Sequence, residues 1–383
     1  MATIPHVAVL VETSRSYGRG MLRGLRRYLS EHGPWSVFME LRALESEVPS
    51  WLRTWKGDGI LTRTTSQATA DAIRRLGVPT VELRATKLAH SFPFVGVNNA
   101  AMGQMVAEHL IERGFVRFGV WRIESEVFFQ ERCDNFQRSV EEKGFSCSVF
   151  PPRGMKPTKN WETQQARLTR WIDGLEKPVG ILACNDQLGY WVLDACRRAN
   201  VAVPEQAAVV GVENDETLCT MAEPPLSSVC FNAELIGYAA TELLDRLMRG
   251  ETAPSEPILV DPVGIVTRQS SDIVAMEDTD LAAAVRFIRE NACEGISVNE
   301  VLQKVPISRT ALERKMRAVL KRSPKAEITR LQLERVKQLL VETDLSLTQI
   351  AGKSGFRYPQ YMVEVFKKWF GETPGTYRSR NTL

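Results

Sequence analysis

The chain has 383 residues, of which 44% are hydrophobic and 25% are charged, and its formal net charge is +3. These are ordinary globular values, and the length is sufficient for two or three domains. No apolar run is long enough to span a membrane, so we expect no membrane partner. The seven cysteines show neither a C-x-x-C motif nor a Cys/His ligand spacing, which argues against a disulfide framework or a zinc site and fits reduced thiols in the cytoplasm.

The charge is distributed unevenly along the chain. From residue 280 onward, 19 basic and 11 acidic residues give a net charge of +8, which leaves −5 on the preceding part. A basic end joined to a mildly acidic body predicts a polyanionic partner for the end alone. A solvated basic face is the alternative that charge alone does not exclude.

Strands and helices alternate over roughly the first 270 residues. The predicted strands are 6–11, 35–40, 59–61, 79–83, 94–97, 118–121, 147–150, 179–184, 208–212, 258–260 and 264–267. The predicted helices are 18–32, 69–76, 100–113, 132–143, 162–175, 187–199 and 235–248. This alternation predicts βαβ units and parallel sheets, and its restart near residue 115 predicts two α/β lobes with a cleft between them.

Short polar side chains follow three of these strands, where parallel sheets collect ligands. The candidates are Tyr17, Arg19, Asn185, Asp186, Glu213, Asn214 and Asp215. Asp186 and Asp215 have a simpler alternative role as N-caps of the helices that follow them. Taken together at three strand ends, the set predicts a polar ligand.

Three segments of this body carry a family resemblance: 183–187 (ACNDQ), 209–214 (VVGVEN) and 224–229 (PPLSSV). Over about residues 5–270, the chain resembles the sugar-binding domain of LacI-type repressors and periplasmic sugar-binding proteins. The resemblance implies that Arg132 grips sugar hydroxyls beside Asn185 and Asp186. Glu213 stands where the family usually has an aspartate, and Trp161 falls near the family's stacking aromatic residue. A surface position for Arg132 and core packing for Trp161 are the alternatives.

The last hundred residues contain two similar helix-turn-helix patterns, at about 297–320 and 346–370, joined by a predicted helix at 325–342. The apolar residues Met362, Phe366, Trp369 and Phe370 predict one face of the last reading helix. A linking helix of this length spans about 30 Å, so the two reading helices can enter successive major grooves. The predicted DNA-contacting residues are Arg309, Thr310, Glu313, Arg314 and Arg317 in the first unit, and Arg357, Tyr358, Gln360, Tyr361, Lys367 and Lys368 in the second.

This end resembles the AraC-type DNA-binding domain. The resemblance covers about 280–377, and its most specific parts are 365–368 (VFKK), 370–371 (FG) and 373–374 (TP). Pro306 departs from it, because the family usually has a turn glycine there and proline cannot adopt a positive φ. Either the first turn differs or its reading helix is tilted.

The domain order resembles the regulators of xylose operons, with 1–270 as effector domain, 271–279 as linker and 280–383 as DNA-binding domain. This implies a cytoplasmic, sugar-responsive activator of D-xylose catabolic genes that binds operator DNA as a homodimer and acts on RNA polymerase. No catalytic residue, metal or cofactor is expected. A sugar kinase or dehydrogenase with an accessory helical domain is the competing interpretation, although the chain has no Walker loop, G-x-G-x-x-G motif or nucleophile elbow. A binding protein without DNA activity is a third.

Overall fold

The structure is a computed structural model that describes residues 4–41, 47–88, 92–123, 126–152, 158, 160–272, 278–320 and 322–381. The chain divides into two units, Met1–Asp272 and Ile273–Leu383. Most of the predicted linker, 273–277, lies outside the described residues. Among the described helices, none combines the length and the apolar character that crossing a membrane requires.

The first unit begins with a parallel sheet. Its elements are β1 (His6–Leu10), α1 (Ser16–His32), β2 (Ser36–Met39), β3 (Gly59–Thr62), α2 (Gln67–Leu76), β4 (Thr80–Glu82), β5 (Val95–Val97) and α3 (Asn99–Ile111). The strand order is β2-β1-β3-β4, with all pairs parallel, and a single bridge joins Glu82 to Phe94 just before β5. Parallel strands place their carboxyl ends at one edge, where the loops after β1, β3 and β4 therefore meet.

A second sheet follows. The elements in this part of the chain are β6 (Arg117–Trp121), α4 (Val127–Glu141), β7 (Ser146–Phe150), α5 (Trp161–Asp173), β8 (Val179–Ala183), α6 (Asp186–Arg198), β9 (Ala207–Val212), α7 (Glu216–Met221), β10 (Ser227–Cys230), α8 (Ala233–Met248), β11 (Ile258–Val260) and β12 (Gly264–Val266), of which β11 lies outside the sheet. The order β12-β10-β9-β8-β6-β7 is parallel except for β12. The central strands β8 and β9 are buried throughout, as expected for apolar strands covered on both faces.

The chain passes between the two sheets after β5, returns after β10 and crosses again after β11, which pairs with β5. On its return, α8 packs against α1 with the backbones in close approach. A methyl group at Gly24 would collide with the Glu234 carbonyl, and one at Gly237 with the Met21 carbonyl. Two lobes joined by several crossings leave the strand ends of both lobes facing a shared cleft.

The second unit is helical throughout its described residues. Its helices are α9 (Thr279–Asn291), α10 (Val298–Lys304), α11 (Arg309–Leu320), α12 (Pro324–Glu342), α13 (Leu347–Lys353), α14 (Pro359–Phe370) and α15 (Pro374–Asn381). Capping boxes start α10 at Ser297 and α13 at Ser346, each satisfying otherwise unpaired N–H groups. The predicted fold class, an α/β body followed by an all-α unit, is confirmed.

Some local predictions were wrong. The strand β10 was not predicted, because two prolines precede it and two of its four residues are serines. Trp369 was assigned to the apolar face of its helix, yet its side chain is 46% exposed while Met362 and Phe366 are fully buried. Helix periodicity gives the direction in which a side chain points but does not say where the packing partner ends.

Candidate functional site

Polar loops from the two lobes contact each other in the cleft. The Ser16 hydroxyl at the start of α1 donates to the Asp215 carboxylate across 2.9 Å. Arg84, which follows β4, forms an ion pair of 2.5 Å with Glu126, just before α4. These contacts bring the strand ends of both lobes to one place.

Arg132 lies at the centre of this cleft and is only 4% exposed. Its guanidinium donates to the Cys184 carbonyl at 2.7 Å and to the Asn99 side-chain oxygen at 3.3 Å, and pairs with Glu213 at 3.4 Å. The Phe231 ring lies 5.1 Å from the guanidinium carbon. The alternative of a surface helix arginine is therefore wrong, because the side chain is buried. Its hydrogen bonds and ion pair offset the cost of burying the charge.

The roles of Asn185 and Asp186 differ from those that the sequence predicts. Asn185 is the N-cap of α6 and accepts from the Leu188 N–H at 2.8 Å, so capping by Asp186 is wrong. The Asp186 carboxylate accepts from the Ser228 hydroxyl at 2.5 Å and from the Asp215 N–H at 2.7 Å. Burial raises the pKa of Asp186 to about 7, although both hydrogen bonds oppose the shift. Asp186 therefore holds the neighbouring loop in place.

That loop, Glu213 to Asp215, has an uncommon backbone. Glu213 has φ 103° and Asn214 has φ 49°, values that favour glycine or asparagine. The Asn214 side-chain oxygen accepts from Arg268 at 2.9 Å. Asp215 caps α7 by accepting from the Leu218 N–H at 3.3 Å, so the capping alternative is confirmed for this residue. The strained loop directs the Glu213 carboxylate toward Arg132.

The remaining candidates differ in position. Tyr17 is close to Arg132 and its partners, and its ring meets the Phe231 ring edge-on with 6.2 Å between the ring centroids. Burial raises the pKa of Tyr17; the charge of Arg132 opposes this shift, and the charge of Glu213 adds to it. Arg19 is exposed and donates to the Thr13 carbonyl of its own loop at 2.9 Å. Trp161 is 39% exposed, and its ring packs against Trp191 at 4.8 Å. Within the part of the chain that the structure describes, contacts thus join Tyr17, but not Arg19 or Trp161, to Arg132 and its partners.

Four charged residues of the first lobe were missed by the sequence analysis. They follow β1, β3 and β4 or end β4: Glu12, Arg63, Arg84 and Glu82. Glu12 and Arg63 form a buried ion pair in which the second Glu12 oxygen and the Arg63 Nε have no hydrogen-bond partner among the described residues. Burial lowers the pKa of Arg63 to about 10 and raises that of Glu82 to about 7. Their positions just after strands were the only available signal.

Helix α3 links this group to the end of the first unit. At its N-terminus, Asn99 accepts from Arg132 and donates to Glu131 at 2.8 Å. At its other end, a His109 ring nitrogen lies 2.9 Å from the Ser271 hydroxyl, and Arg113 donates to the Ser271 carbonyl at 3.0 Å. One helix, with the residues directly after it, therefore contacts both the cleft and Ser271, the first residue of the predicted linker.

We expect His109 to make the stability of the first unit fall on acidification. Burial, and then the charge of Arg113, lowers the pKa of His109 from the usual 6.5 to about 3. Below pH 6.5 the unfolded chain takes up a proton that the folded chain does not, so this stability is present above 6.5 and is lost as pH falls. Between pH 6.5 and 5, the wild type should lose about 2 kcal/mol relative to His109→Gln. A constant difference in unfolding free energy at both pH values would contradict this.

The second unit presents two matching helices. Leu312 and Met316 of α11, and Met362 and Phe366 of α14, are all fully buried. The predicted DNA-contacting residues that are exposed are Arg309, Thr310, Arg314, Arg317, Arg357, Tyr358, Gln360, Tyr361, Lys367 and Lys368; Glu313 is half-buried. In this structure Arg309 donates to Asn299 of α10 at 2.6 Å. Both helices thus bury one face and expose a polar face.

The turns before the two helices differ. Gly355 has φ 75° in the second unit, the left-handed conformation expected of a turn glycine. In the first unit the Ile307 N–H donates to the Val305 carbonyl at 2.8 Å, which makes a three-residue turn centred on Pro306. Of the two outcomes expected for Pro306, a different turn is therefore the one found.

A glutamine of α12 joins the two halves of this unit. Gln332 is buried, and its side-chain amide donates to the Ala292 carbonyl at 3.0 Å and to the Gly355 carbonyl at 3.1 Å. Gly295 and Gly355 approach each other here, because a methyl group on Gly295 would lie 3.0 Å from the Gly355 oxygen. This contact joins the segment just before the first helix-turn-helix to the turn of the second.

Two family descriptions match the chain: a periplasmic binding protein-like domain at residues 107–271 and a helix-turn-helix domain at residues 301–380. The xylose operon regulatory protein of Escherichia coli strain K12 is 31% identical over 386 residues, covering 98% of this chain and 97% of the relative. That of Haemophilus influenzae is 28% identical, covering 97% of each.

A solved structure agrees with these relatives. The structure of the xylose-binding transcription activator xylR matches with a TM-score of 0.82 and 29% identity over 100% of both chains. The match covers both units of the chain and is not limited to one of them. This chain belongs to the family of xylose operon regulatory proteins, transcription regulators that combine a periplasmic binding protein-like domain with a helix-turn-helix domain.

Proposed function

We propose that this chain is a cytoplasmic, D-xylose-responsive activator that binds operator DNA as a homodimer and recruits RNA polymerase. The relatives named for xylose operons and the xylose-binding xylR structure support the choice of sugar. We infer that the sugar is bound without being converted.

The observation that carries the proposal is the buried polar group around Arg132. A pentose presents adjacent hydroxyls that both donate and accept hydrogen bonds. Arg132, Asn185 and Glu213 offer a planar donor fork, an amide and a carboxylate, and the unpaired atoms of Glu12 and Arg63 add an acceptor and a donor. Phe231, whose ring lies over Arg132, can cover the apolar C–H face of a sugar. Trp161, Asp186, Asn214, Asp215, Tyr17 and Arg19 remain proposed members of the binding site.

Calorimetric titration with D-xylose, D-ribose, L-arabinose and D-glucose tests the ligand. We expect saturable binding of one mole of D-xylose per chain and much weaker binding of the others. Absence of any heat with D-xylose, together with unchanged thermal stability, would contradict the proposed effector.

We propose that α3 carries the signal from the sugar toward the linker. Sugar contacts shift Arg132 and Asn99, and α3 moves with them because it is one rigid helix. His109 and Arg113 then shift Ser271, which begins the linker. The sugar can bias DNA binding only by its differential affinity for the two arrangements of the protein.

Two exposed residues of α14 should affect DNA binding differently. Gln360→Ala should weaken specific sites by about 1–3 kcal/mol and spare nonspecific DNA, because an amide reads base edges. Lys367→Ala should weaken all sequences alike and lower the salt dependence, because an ammonium group contacts phosphate. Fluorescence anisotropy at several salt concentrations measures both effects. Equal losses on every sequence for Gln360→Ala would exclude base reading by that residue.

A further inference from the structure

The helices α11 and α14 can be compared position by position. Each has 12 residues, and their first residues, Arg309 and Pro359, are 50 positions apart. At that same offset, fully buried Leu312 and Met316 correspond to fully buried Met362 and Phe366. Because equal positions face the core in both helices, equal positions also face outward in both.

The sixth position of each helix is exposed and carries opposite charges, Arg314 in α11 and Glu364 in α14. Each lies one helical turn after an exposed residue of the polar face, Thr310 or Gln360. Neither Arg314 nor Glu364 forms a hydrogen bond or an ion pair within the part of the chain that the structure describes. Their charges are therefore available to an external partner.

A carboxylate on a DNA-facing helix is unfavourable beside phosphates, so its presence needs a specific donor. Gln360, Lys367 and Lys368 share the exposed side of α14 with Glu364. A polar and cationic surface of this kind suits DNA, so a base edge is the better-fitting partner for Glu364 than another protein. In the major groove, cytosine offers its N4 amino group to a carboxylate, whereas guanine offers N7 and O6 to arginine.

We propose that the two reading helices specify different bases at their equivalent position: Glu364 accepts from the amino group of a cytosine, and Arg314 donates to a guanine. This inference rests on the proposed function, in which both helices enter major grooves. It follows that the DNA bound by one chain contains two unlike half-sites. Glu364 is then a specificity-determining residue that the sequence analysis did not assign.

Selection of binding sites from a randomised duplex library, using the full chain with D-xylose present, tests this inference. The variants are Glu364→Gln and Arg314→Gln, with Glu294→Gln as the matched control, since Glu294 is an exposed acid of the same unit outside both reading helices. The wild type should prefer cytosine about tenfold at one position. Glu364→Gln should replace that preference with adenine, because glutamine pairs with adenine N6 and N7. Arg314→Gln should remove a guanine preference at a different position, and Glu294→Gln should leave the profile unchanged.

The outcomes separate the two hypotheses. If Glu364→Gln raises affinity for all duplexes and keeps the wild-type profile, Glu364 acts only through its charge and the inference is overturned, while the proposed function stands. The same holds if Glu294→Gln gives the same change, or if both reader variants alter one and the same base pair. If the wild type enriches no sequence at all, the proposed function and the inference fail together.

Discussion

Arg132→Met is expected to weaken D-xylose binding by at least about 100-fold. Each charge-assisted hydrogen bond contributes about 1.5–3 kcal/mol, and a guanidinium fork can donate to two sugar hydroxyls. The substitution also leaves Glu213, which pairs with Arg132 at 3.4 Å, without its cationic partner in the cleft. Arg132→Lys keeps the charge but loses the planar fork, and it should lose about tenfold.

Arg138→Met is the matched control. Arg138 lies on the same helix, α4, but is exposed to solvent. Its removal should leave the affinity for D-xylose within about twofold of wild type. Circular dichroism and thermal unfolding establish that each variant is folded before titration calorimetry. Wild-type affinity in a folded Arg132→Met variant would exclude Arg132 from the binding site.

Gly355→Ala is expected to destabilise the second unit by about 2–4 kcal/mol. Gly355 has φ 75°, where a side chain costs about 1–2 kcal/mol. The added methyl group would also lie 2.7 Å from the Ala292 oxygen and 2.8 Å from the Gln332 amide nitrogen, so the contact joining the two helix-turn-helix halves must shift. Binding to every DNA sequence should weaken, because the spacing of the two reading helices changes.

Gly352→Ala provides the control for this substitution. Gly352 lies within α13, three positions earlier, and apart from its own helix no described atom lies within 4 Å of a methyl group there. Alanine is favoured over glycine inside a helix by about 0.5–1 kcal/mol, so this variant should be slightly stabilised. Hydrogen exchange of peptides covering α13 and α14 reports the local free energies. Equal protection in Gly355→Ala and the wild type would show that the turn does not require glycine.

The sequence predicted the fold class because its strongest signals are periodic. The apolar runs of β8 and β9 and the helical stripes at Leu312 and Met362 each result from burial on a defined face. The boundary between Asn185 and Asp186 was not predictable, since either residue is a good N-cap and a shift of one position exchanges their roles.

The charged residues of the first lobe illustrate what a sequence does not reveal. Glu12, Arg63 and Arg84 each follow a strand, where charged residues are also common at the surface of a protein. The buried Arg84 pairs with Glu126 of the second lobe, which is 42 positions away in the sequence. Arg132, in contrast, was found through a family resemblance, which carries information about the three-dimensional site.

The most direct test is the affinity of the full chain for its selected operator at increasing D-xylose concentration, with L-arabinose as control. The account predicts that D-xylose changes the operator Kd by a constant factor at saturation. Operator DNA should change the Kd for D-xylose by the same factor, as linkage requires. An operator Kd that stays constant while calorimetry shows D-xylose bound in the cleft would contradict it.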